Sequence, residues 1–430
     1  MVENKNNNIE ELIGLFQKKD YKNSVNLANS ILLNESDNIV VQNILALSLK
    51  NIGKRTEAIE LFNSLIIDHP EVGYLYANLA NIYLLDGKLN DALVFFEKAI
   101  KYDSKLENAY NGLGNTLIEL GNLEEALNVY KKALLITKNP KNVHYNIGNI
   151  YRKLEVYDKA ADHYSKTDVL LSHSHHLECL YLMNRKKDFI KNLEKLENDE
   201  ILSSLASCLG THSRIRYGLD KKYSFCDNPF SYIYARNILD EEVIAYDDIN
   251  NLNNELKLMN LDFKDQALLN KGNQSAGNIF FGENKIIKKI EKVIEEEINS
   301  YRKIYKGSND KYISLWPNDS RLFGWIIRMN SGGNLDAHIH KEGWLSGSLY
   351  LEIPDDINTG EGDIIFSLTG ANYPTDNKLF PQKRVSVSKG LVILFPSALF
   401  HYTTPFNSET NRVTLAFDII PSSNLASNLT

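Results

Sequence analysis

Residues 338–351 read His338-Ile-His-Lys-Glu-Gly-Trp-Leu-Ser-Gly-Ser-Leu-Tyr-Leu351 and determine how the C-terminal part of the chain is interpreted. His338 and His340 are two positions apart, so their side chains leave the same face of an extended backbone. The apolar run that follows predicts a strand at 345–352. We therefore predict that this part of the chain presents two imidazoles from a β fold.

Further short strand-like runs lie on both sides of this stretch. One amphipathic helix is predicted at roughly 284–301, and after about residue 305 the hydrophobic period changes from 3.6 to 2. The runs, separated by turn signals, lie at 322–328, 345–352, 363–366, 384–388, 391–395, 399–404 and 412–420. Many short strands without intervening helices indicate a closed or double-sheet β fold, for which the jelly roll is the favoured architecture.

A third histidine and an arginine follow in the later strands. His401 lies 61 residues after His340, behind the run Gly390-Leu-Val-Ile-Leu-Phe-Pro, and Arg412 opens a strand eleven residues further on. In this order, residues 322–420 resemble the 2-oxoglutarate- and iron(II)-dependent dioxygenases. The resemblance is strongest to a subgroup with a histidine-x-histidine before a Leu-Ser-Gly-x-x-Tyr-Leu strand.

The resemblance implies a role for each matching residue. His338 corresponds to the first metal ligand and His401 to the distal one. Arg412 corresponds to the residue that pairs with the distal carboxylate of 2-oxoglutarate, a task that suits the guanidinium fork. Tyr350 matches a tyrosine that hydrogen-bonds the same cosubstrate, and Arg328 falls where another cosubstrate or substrate contact is often found. The implied cofactors are Fe(II) and 2-oxoglutarate, with O2 as cosubstrate.

The sequence departs from this pattern at the third metal ligand. The common triad is two histidines and one carboxylate, and the carboxylate would stand where this chain has His340. His340 ligates directly in the first interpretation, which makes a three-histidine site. In the second, Asp336 or Glu342 supplies the carboxylate from the adjoining turn. In the third, the site binds metal poorly and is inactive.

The N-terminal part of the chain repeats with a period of 34 residues. A small residue recurs at Ala58, Ala92, Ala126 and Ala160, and an aromatic at Phe62, Phe96, Tyr130 and Tyr164. Glycine recurs at Gly53, Gly87 and Gly121, and Glu155 interrupts that series. The small residue allows two helices to approach and the aromatic fills the remaining gap. This pattern resembles the tetratricopeptide repeat.

We therefore predict an α-helical solenoid at 1–200, a connecting region at 201–275 and a double-stranded β-helix (jelly-roll) oxygenase domain at 276–430. Such solenoids have a concave face that commonly holds a peptide or a protein. Asparagines between the core positions, among them Asn81, Asn115 and Asn149, either contact a peptide backbone there or are simply exposed to solvent.

Composition excludes some classes of function. The net charge of −7 and the pI near 5.9 argue against a nucleic-acid binder. No apolar run reaches the length that spans a bilayer, and the three cysteines are scattered. A cytoplasmic protein with reduced thiols is the expected class.

Together these features predict an oxygenase that hydroxylates a C–H bond, on a peptide or protein presented by the repeats. Two alternatives remain open at the level of sequence. One is an interaction scaffold whose barrel is inactive. The other is a cupin-type dioxygenase with three histidines and no 2-oxoglutarate, for which a buried Arg412 would have little purpose.

Overall fold

The structure analysed is a computed structural model, and it describes residues 2–169, 171–220, 225–259, 261, 263–264, 266–281 and 284–422. The chain divides into two compact units, Met1–Thr167 and Asp168–Thr430.

The first unit is helical. Its helices are α1 (Val2–Gln17), α2 (Tyr21–Leu32), α3 (Ile39–Asn51), α4 (Arg55–Asp68), α5 (Gly73–Leu85), α6 (Leu89–Tyr102), α7 (Glu107–Glu119), α8 (Leu123–Ile136), α9 (Lys141–Lys153) and α10 (Tyr157–Tyr164). Consecutive helices pack against each other, which is the arrangement that the 34-residue period predicts.

The repeated small and aromatic residues form the core of this unit. Ala92 and Phe96 of α6 are completely buried. The Phe96 ring lies against Gly112 of α7, where a Cβ atom would come within 2.1 Å of the ring. Gly112 is therefore part of the packing, although the repeat pattern does not single it out. Loss of such a ring typically costs about 3–5 kcal/mol.

The turn within each helix pair uses the left-handed backbone region. Gly53, Gly87 and Gly121 have φ of 87°, 72° and 82°. Glu155 stands at the equivalent place in the next repeat and has φ of 59°. The turn geometry therefore persists where glycine is replaced, at some cost in backbone strain, because a side chain is disfavoured in this region.

The repeated asparagines contact their own solenoid. Tyr130 donates a hydrogen bond from its hydroxyl to Oδ1 of Asn115 at 2.6 Å, and Tyr164 does the same to Asn149 at 2.7 Å. These amide oxygens fix the buried tyrosines. Their 34-residue spacing thus has a structural reason within the repeat.

The second unit contains helices and two antiparallel sheets. Its helices are α11 (Ser172–Leu182), α12 (Lys186–Asn198), α13 (Ser204–Tyr217), α14 (Tyr246–Leu258), α15 (Lys285–Ile304) and α16 (Lys311–Ser314). Its strands are β1 (Tyr234–Asn237), β2 (Phe263–Lys264), β3 (Leu269–Ser275), β4 (Ser320–Leu335), β5 (Leu345–Glu352), β6 (Ile364–Ser367), β7 (Gln382–Val385), β8 (Leu391–Pro396), β9 (Phe400–Thr403) and β10 (Arg412–Pro421).

The larger sheet has the order β1-β8-β5-β10-β4-β3-β2 and the smaller sheet the order β7-β6-β9. All of the pairings described are antiparallel. Two facing sheets of this kind confirm the jelly-roll prediction. The larger sheet also includes β1, β2 and β3, all of which lie within residues 201–275, the stretch predicted to be a connecting region.

The compact second unit begins earlier than residue 200. Helices α11 to α13 share one hydrophobic core with the larger sheet, in which Leu177 and Leu205 are buried together with Trp344. Their apolar faces are therefore covered by the β domain, and for this reason they group with it rather than with the solenoid.

None of the described helices is both long enough and apolar enough to cross a membrane.

Candidate metal and cosubstrate site

The three predicted histidines come together between the two sheets. His401 lies on β9 of the smaller sheet, and its backbone N–H and C=O pair with those of His338 at 3.0 and 3.2 Å. One potential ligand atom from each of His338, His340 and His401 lies within 4.8 Å of the others. We call these three residues the histidine cluster.

The cluster opens into a cavity of about 350 Å³. Strand β10 forms one wall of it, because alternate residues of a strand point to the same face. The residues of β10 that line the cavity are Arg412, Thr414, Ala416, Asp418 and Ile420. Neighbouring β5 contributes Ser348 and Tyr350, and β4 contributes Trp325, Ile327 and Met329.

Each imidazole of the cluster has its Nδ1 atom occupied by an acceptor. His338 Nδ1 lies 2.8 Å from the carbonyl oxygen of Asp336, and His401 Nδ1 lies 3.2 Å from that of Leu399. His340 Nδ1 lies 2.6 and 2.7 Å from the two carboxylate oxygens of Asp418. Carbonyl and carboxylate oxygens only accept, so each Nδ1 carries the proton and each Nε2 presents a lone pair.

The Nε2 atoms of His338 and His340 are only 3.1 Å apart. With both protons on Nδ1, neither Nε2 donates to the other, and two lone pairs face each other at hydrogen-bond distance. A cation between the imidazoles resolves this conflict. Three neutral imidazoles suit iron, zinc, copper or nickel by donor type.

Burial favours the neutral form of two members of the cluster, His338 and His401. It lowers the pKa of His338 to about 4, and the nearby His340 adds to this effect. Burial also lowers the pKa of His401 well below its ordinary value, with further contributions from His338 and His340. Neutral imidazole is the form that binds a metal.

The two carboxylates considered from the sequence as a third ligand lie elsewhere. Asp336 is exposed, and its side chain accepts hydrogen bonds from the amides of Asn270 and Asn334 at 3.2 and 3.0 Å. Glu342 lines the cavity, and burial of its carboxyl within that lining, together with nearby Asp418, raises its pKa. Neither belongs to the group of converging ligand atoms found among the described residues.

Arg412 and Tyr350 lie in the same cavity as the cluster. The Arg412 guanidinium is stacked over the Tyr350 ring at 5.1 Å and is only 3% exposed. Its Nε atom is buried without a hydrogen-bond partner, and its Nη1 atom is 3.7 Å from the sulfur of Met329. Among the described residues no carboxylate lies within 4.0 Å of this guanidinium. Burial lowers the pKa of Arg412, which reflects the cost of a charge that lacks a counter-ion.

Arg328, for which a cosubstrate or substrate contact was predicted, is not among the residues that line this cavity. It lies on β4 between Ile327 and Met329, which line the cavity, so the pleat directs its side chain to the opposite face. There its guanidinium stacks on Phe263 at 4.5 Å and donates to the carbonyl oxygen of Leu256 at 3.2 Å.

Asp418 is the residue at this site that the sequence interpretation missed. It is 6% exposed and accepts hydrogen bonds from His340 and from the hydroxyl of Ser346 at 2.7 Å. The available signal was its position six residues after Arg412 on the same strand, which places both side chains on one face.

Comparison with known proteins agrees with this geometry. Residues 324–418 match the model of a family described as "Putative 2OG-Fe(II) oxygenase". Residues 44–71 and 74–106 match tetratricopeptide repeat models, and residues 114–155 match a further model of the same repeat class. The chain therefore matches tetratricopeptide repeat models in its N-terminal part and the putative 2OG-Fe(II) oxygenase model in its C-terminal part. That family implies Fe(II) and 2-oxoglutarate as cofactors.

Several solved structures are similar to part of this chain, and some of them are described as tetratricopeptide repeat proteins. PilF of Pseudomonas aeruginosa is 13% identical, with 46% of this chain and 91% of that chain covered and a TM-score of 0.41. A tetratricopeptide repeat protein of Parabacteroides merdae is 15% identical, with 50% and 87% covered and a TM-score of 0.39. The protein TTC0263 of Thermus thermophilus is 18% identical, with 44% and 98% covered and a TM-score of 0.34. No curated protein matches this sequence.

Proposed function

We propose that this protein is an Fe(II)- and 2-oxoglutarate-dependent hydroxylase whose metal is held by His338, His340 and His401. The observation that carries the proposal is the convergence of three imidazoles in a cavity that also contains a buried guanidinium with no carboxylate within 4.0 Å among the described residues. When bound, iron and 2-oxoglutarate supply the oxidation of a C–H bond by O2, coupled to decarboxylation of the cosubstrate.

The residues of the chain have three tasks in this proposal. The histidine cluster holds the metal between the two sheets, because β9 and the turn after β4 bring imidazoles from different parts of the chain to one point. Arg412 receives the distal carboxylate of 2-oxoglutarate through its planar fork of donors. Tyr350 lies against that guanidinium and limits where the carboxylate can sit.

Arg412 favours this proposal over a three-histidine dioxygenase that does not use 2-oxoglutarate. A buried arginine without a carboxylate partner is costly in the absence of an anionic ligand. An anion that completes two charge-assisted hydrogen bonds offsets that cost. The cavity is also large enough for a small dicarboxylate beside a substrate group.

The test is an anaerobic titration of the Fe(II)-loaded protein with 2-oxoglutarate, in which the visible charge-transfer band of the chelate is recorded. We expect a saturable band in the wild-type protein and in His69→Ala, a solenoid variant that serves as a matched control. The band should be absent in His401→Ala. Bound iron without a band would favour the dioxygenase that lacks 2-oxoglutarate, and absence of iron binding would favour the inactive scaffold.

We further propose that the substrate is a peptide or a protein side chain that the repeats recruit. The concave face of a solenoid commonly holds an extended peptide, and this chain carries such a solenoid ahead of the oxygenase domain. Formation of succinate should therefore be stimulated by a mixture of tryptic peptides more than by the same amino acids in free form. Stimulation by free amino acids alone would instead indicate a small metabolite as the substrate.

A further inference from the structure

The cavity contains two buried side chains of opposite charge, and among the described residues neither has a permanently charged partner within 4.0 Å. Arg412 is one of them. Asp418 is the other, because the only ion-pair partner of its carboxylate within 4.0 Å among the described residues is His340, which is charged only if protonated. Burial of an unpaired carboxylate is costly, so a site that maintains one is expected to bind a cation.

The contacts of Asp418 hold it in one position. Its Oδ1 atom accepts from Ser346 at 2.7 Å, and the Ser346 hydroxyl is in turn 2.8 Å from that of Ser397. Gly343 passes close by, and a Cβ there would lie 2.6 Å from the Ser397 hydroxyl and 3.3 Å from the Asp418 carboxyl carbon. The turn that carries His340 thus packs on the aspartate without room for a side chain at Gly343.

The remaining contact of Asp418 is with the ring that replaces the usual carboxylate ligand. Both carboxylate oxygens lie within 2.7 Å of His340 Nδ1, on the side of the ring opposite the Nε2 atom that faces the cluster. The other two imidazoles are oriented by neutral carbonyl oxygens. His340, which stands where the family usually has a carboxylate ligand, is therefore the one imidazole of the three whose Nδ1 atom is hydrogen-bonded to a carboxylate.

We propose that Asp418 is a positioning residue that replaces, through His340, the carboxylate missing from the metal site; this rests on the proposed function. Its hydrogen bond fixes the tautomer and the orientation of His340, and a carboxylate acceptor makes a histidine a more basic ligand. Its charge makes the whole site as positive as one with two histidines and a carboxylate. The departure at position 340 is thus compensated from the neighbouring strand β10.

The test compares Asp418→Asn, Asp418→Ala and wild type for the dissociation constant of Fe(II) alone, measured anaerobically by competition with a chromogenic chelator. Both variants should bind Fe(II) about 10- to 100-fold more weakly, the range found when such partners of metal-binding histidines are replaced. Asparagine has nearly the shape of aspartate and retains an acceptor, so a loss in Asp418→Asn measures the charge. Unchanged affinity in a folded Asp418→Asn protein would overturn the proposal.

Glu297 provides the matched control. It is a carboxylate 2% exposed on α15, bonded to Tyr234 and Arg236 at 2.7 and 2.9 Å, away from the histidine cluster. Glu297→Gln should leave the dissociation constant of Fe(II) unchanged. An equal loss in this variant would mean that any buried charge change weakens metal binding, and the specific role of Asp418 would be refuted.

A double-mutant cycle tests whether Asp418 acts through His340. In a His340→Asp background the carboxylate stands in the position that usually binds the metal, and Asp418 then faces a like charge. There, Asp418→Asn should no longer weaken Fe(II) binding. The same loss in both backgrounds would show that Asp418 acts independently of His340. If the wild-type protein binds no Fe(II), the proposed function fails; if it binds Fe(II) and Asp418→Asn is silent, only the present inference fails.

Discussion

Replacement of Arg412 by methionine separates the cosubstrate site from the metal site. The side chain is buried beside Tyr350, has an orphaned Nε atom and contacts the sulfur of Met329. Methionine fills a similar volume and is compatible with that sulfur and the aromatic ring. The histidine cluster lies outside these contacts, so Fe(II) binding should be retained.

The expected loss of affinity for 2-oxoglutarate follows from the buried ion pair between Arg412 and the cosubstrate carboxylate, which Arg412→Met cannot form. Removal of one partner of such a pair costs about 2–5 kcal/mol. Since about 1.4 kcal/mol corresponds to a factor of ten, the dissociation constant of 2-oxoglutarate should rise at least about 30-fold. Arg412→Lys keeps a positive charge but not the planar fork, and its dissociation constant should lie between those of wild type and Arg412→Met.

Whereas Arg412→Met should weaken the binding of 2-oxoglutarate, it should not lower the stability of the protein without that ligand. In the absence of a bound carboxylate, burial of the wild-type guanidinium carries a desolvation cost that Tyr350 and Asp363 offset only in part, since the pKa of Arg412 is still lowered. Arg412→Met should therefore unfold at the same Tm or a higher one. Titration of the Fe(II) protein with 2-oxoglutarate, followed by the chelate band and by thermal unfolding, measures both effects. A dissociation constant within threefold of wild type, together with a lower Tm, would show that Arg412 has a purely structural role.

Three further predictions concern individual parts of the second unit. Tyr350→Phe removes only the hydroxyl beside Arg412, so the dissociation constant of 2-oxoglutarate should rise about 2- to 10-fold with Fe(II) affinity unchanged; no change would exclude a hydroxyl contact. The pKa of His338 is lowered to about 4 in the folded state, so the unfolded state binds more protons below its ordinary value of about 6.5. The metal-free protein should therefore lose stability as the pH falls from about 6.5 to 4 in urea unfolding, and this slope should be smaller in His338→Gln. A fragment of residues 168–430 should fold and bind Fe(II), whereas a fragment of residues 201–430 should not. The shorter fragment lacks Glu178, which Lys341 and Tyr373 contact at 2.8 and 2.5 Å. Equal circular dichroism and equal Fe(II) binding of the two fragments would contradict this prediction.

The parts of the fold that were predictable carry a local signal. The 34-residue period places alanine and an aromatic at positions that each repeat buries, so four repeats report the same packing. Strands β5 and β10 have apolar residues on every second position and were predicted close to their observed bounds. For these elements the apolar alternation and the packing have one cause, which is that the alternating apolar residues lie in the hydrophobic core.

The strands that were missed lack that signal. Strand β3 reads Leu-Asn-Lys-Gly-Asn-Gln-Ser, and its middle is polar and only partly buried. It exists because it pairs with β4, whose residues lie more than 50 positions away along the chain. Strand β1 likewise forms only against β8. Pairing of this kind depends on tertiary contacts and leaves little trace in a short window of sequence.

The histidines and Arg412 were predictable by resemblance, whereas Asp418 required the register of the sheet. In the sequence it is one acidic residue within an apolar strand, and its spacing from Arg412 indicates a shared face but not the ring that its carboxylate meets. The pairing of β10 with β5 sets Asp418 opposite Ser346, and the turn before β5 carries His340 onto its carboxylate. The departure at position 340 and the acid at position 418 thus gain a common explanation only when both are seen on the same wall of one cavity. A change of one residue in that register would turn the acid to the opposite face, which leaves His340 without its partner.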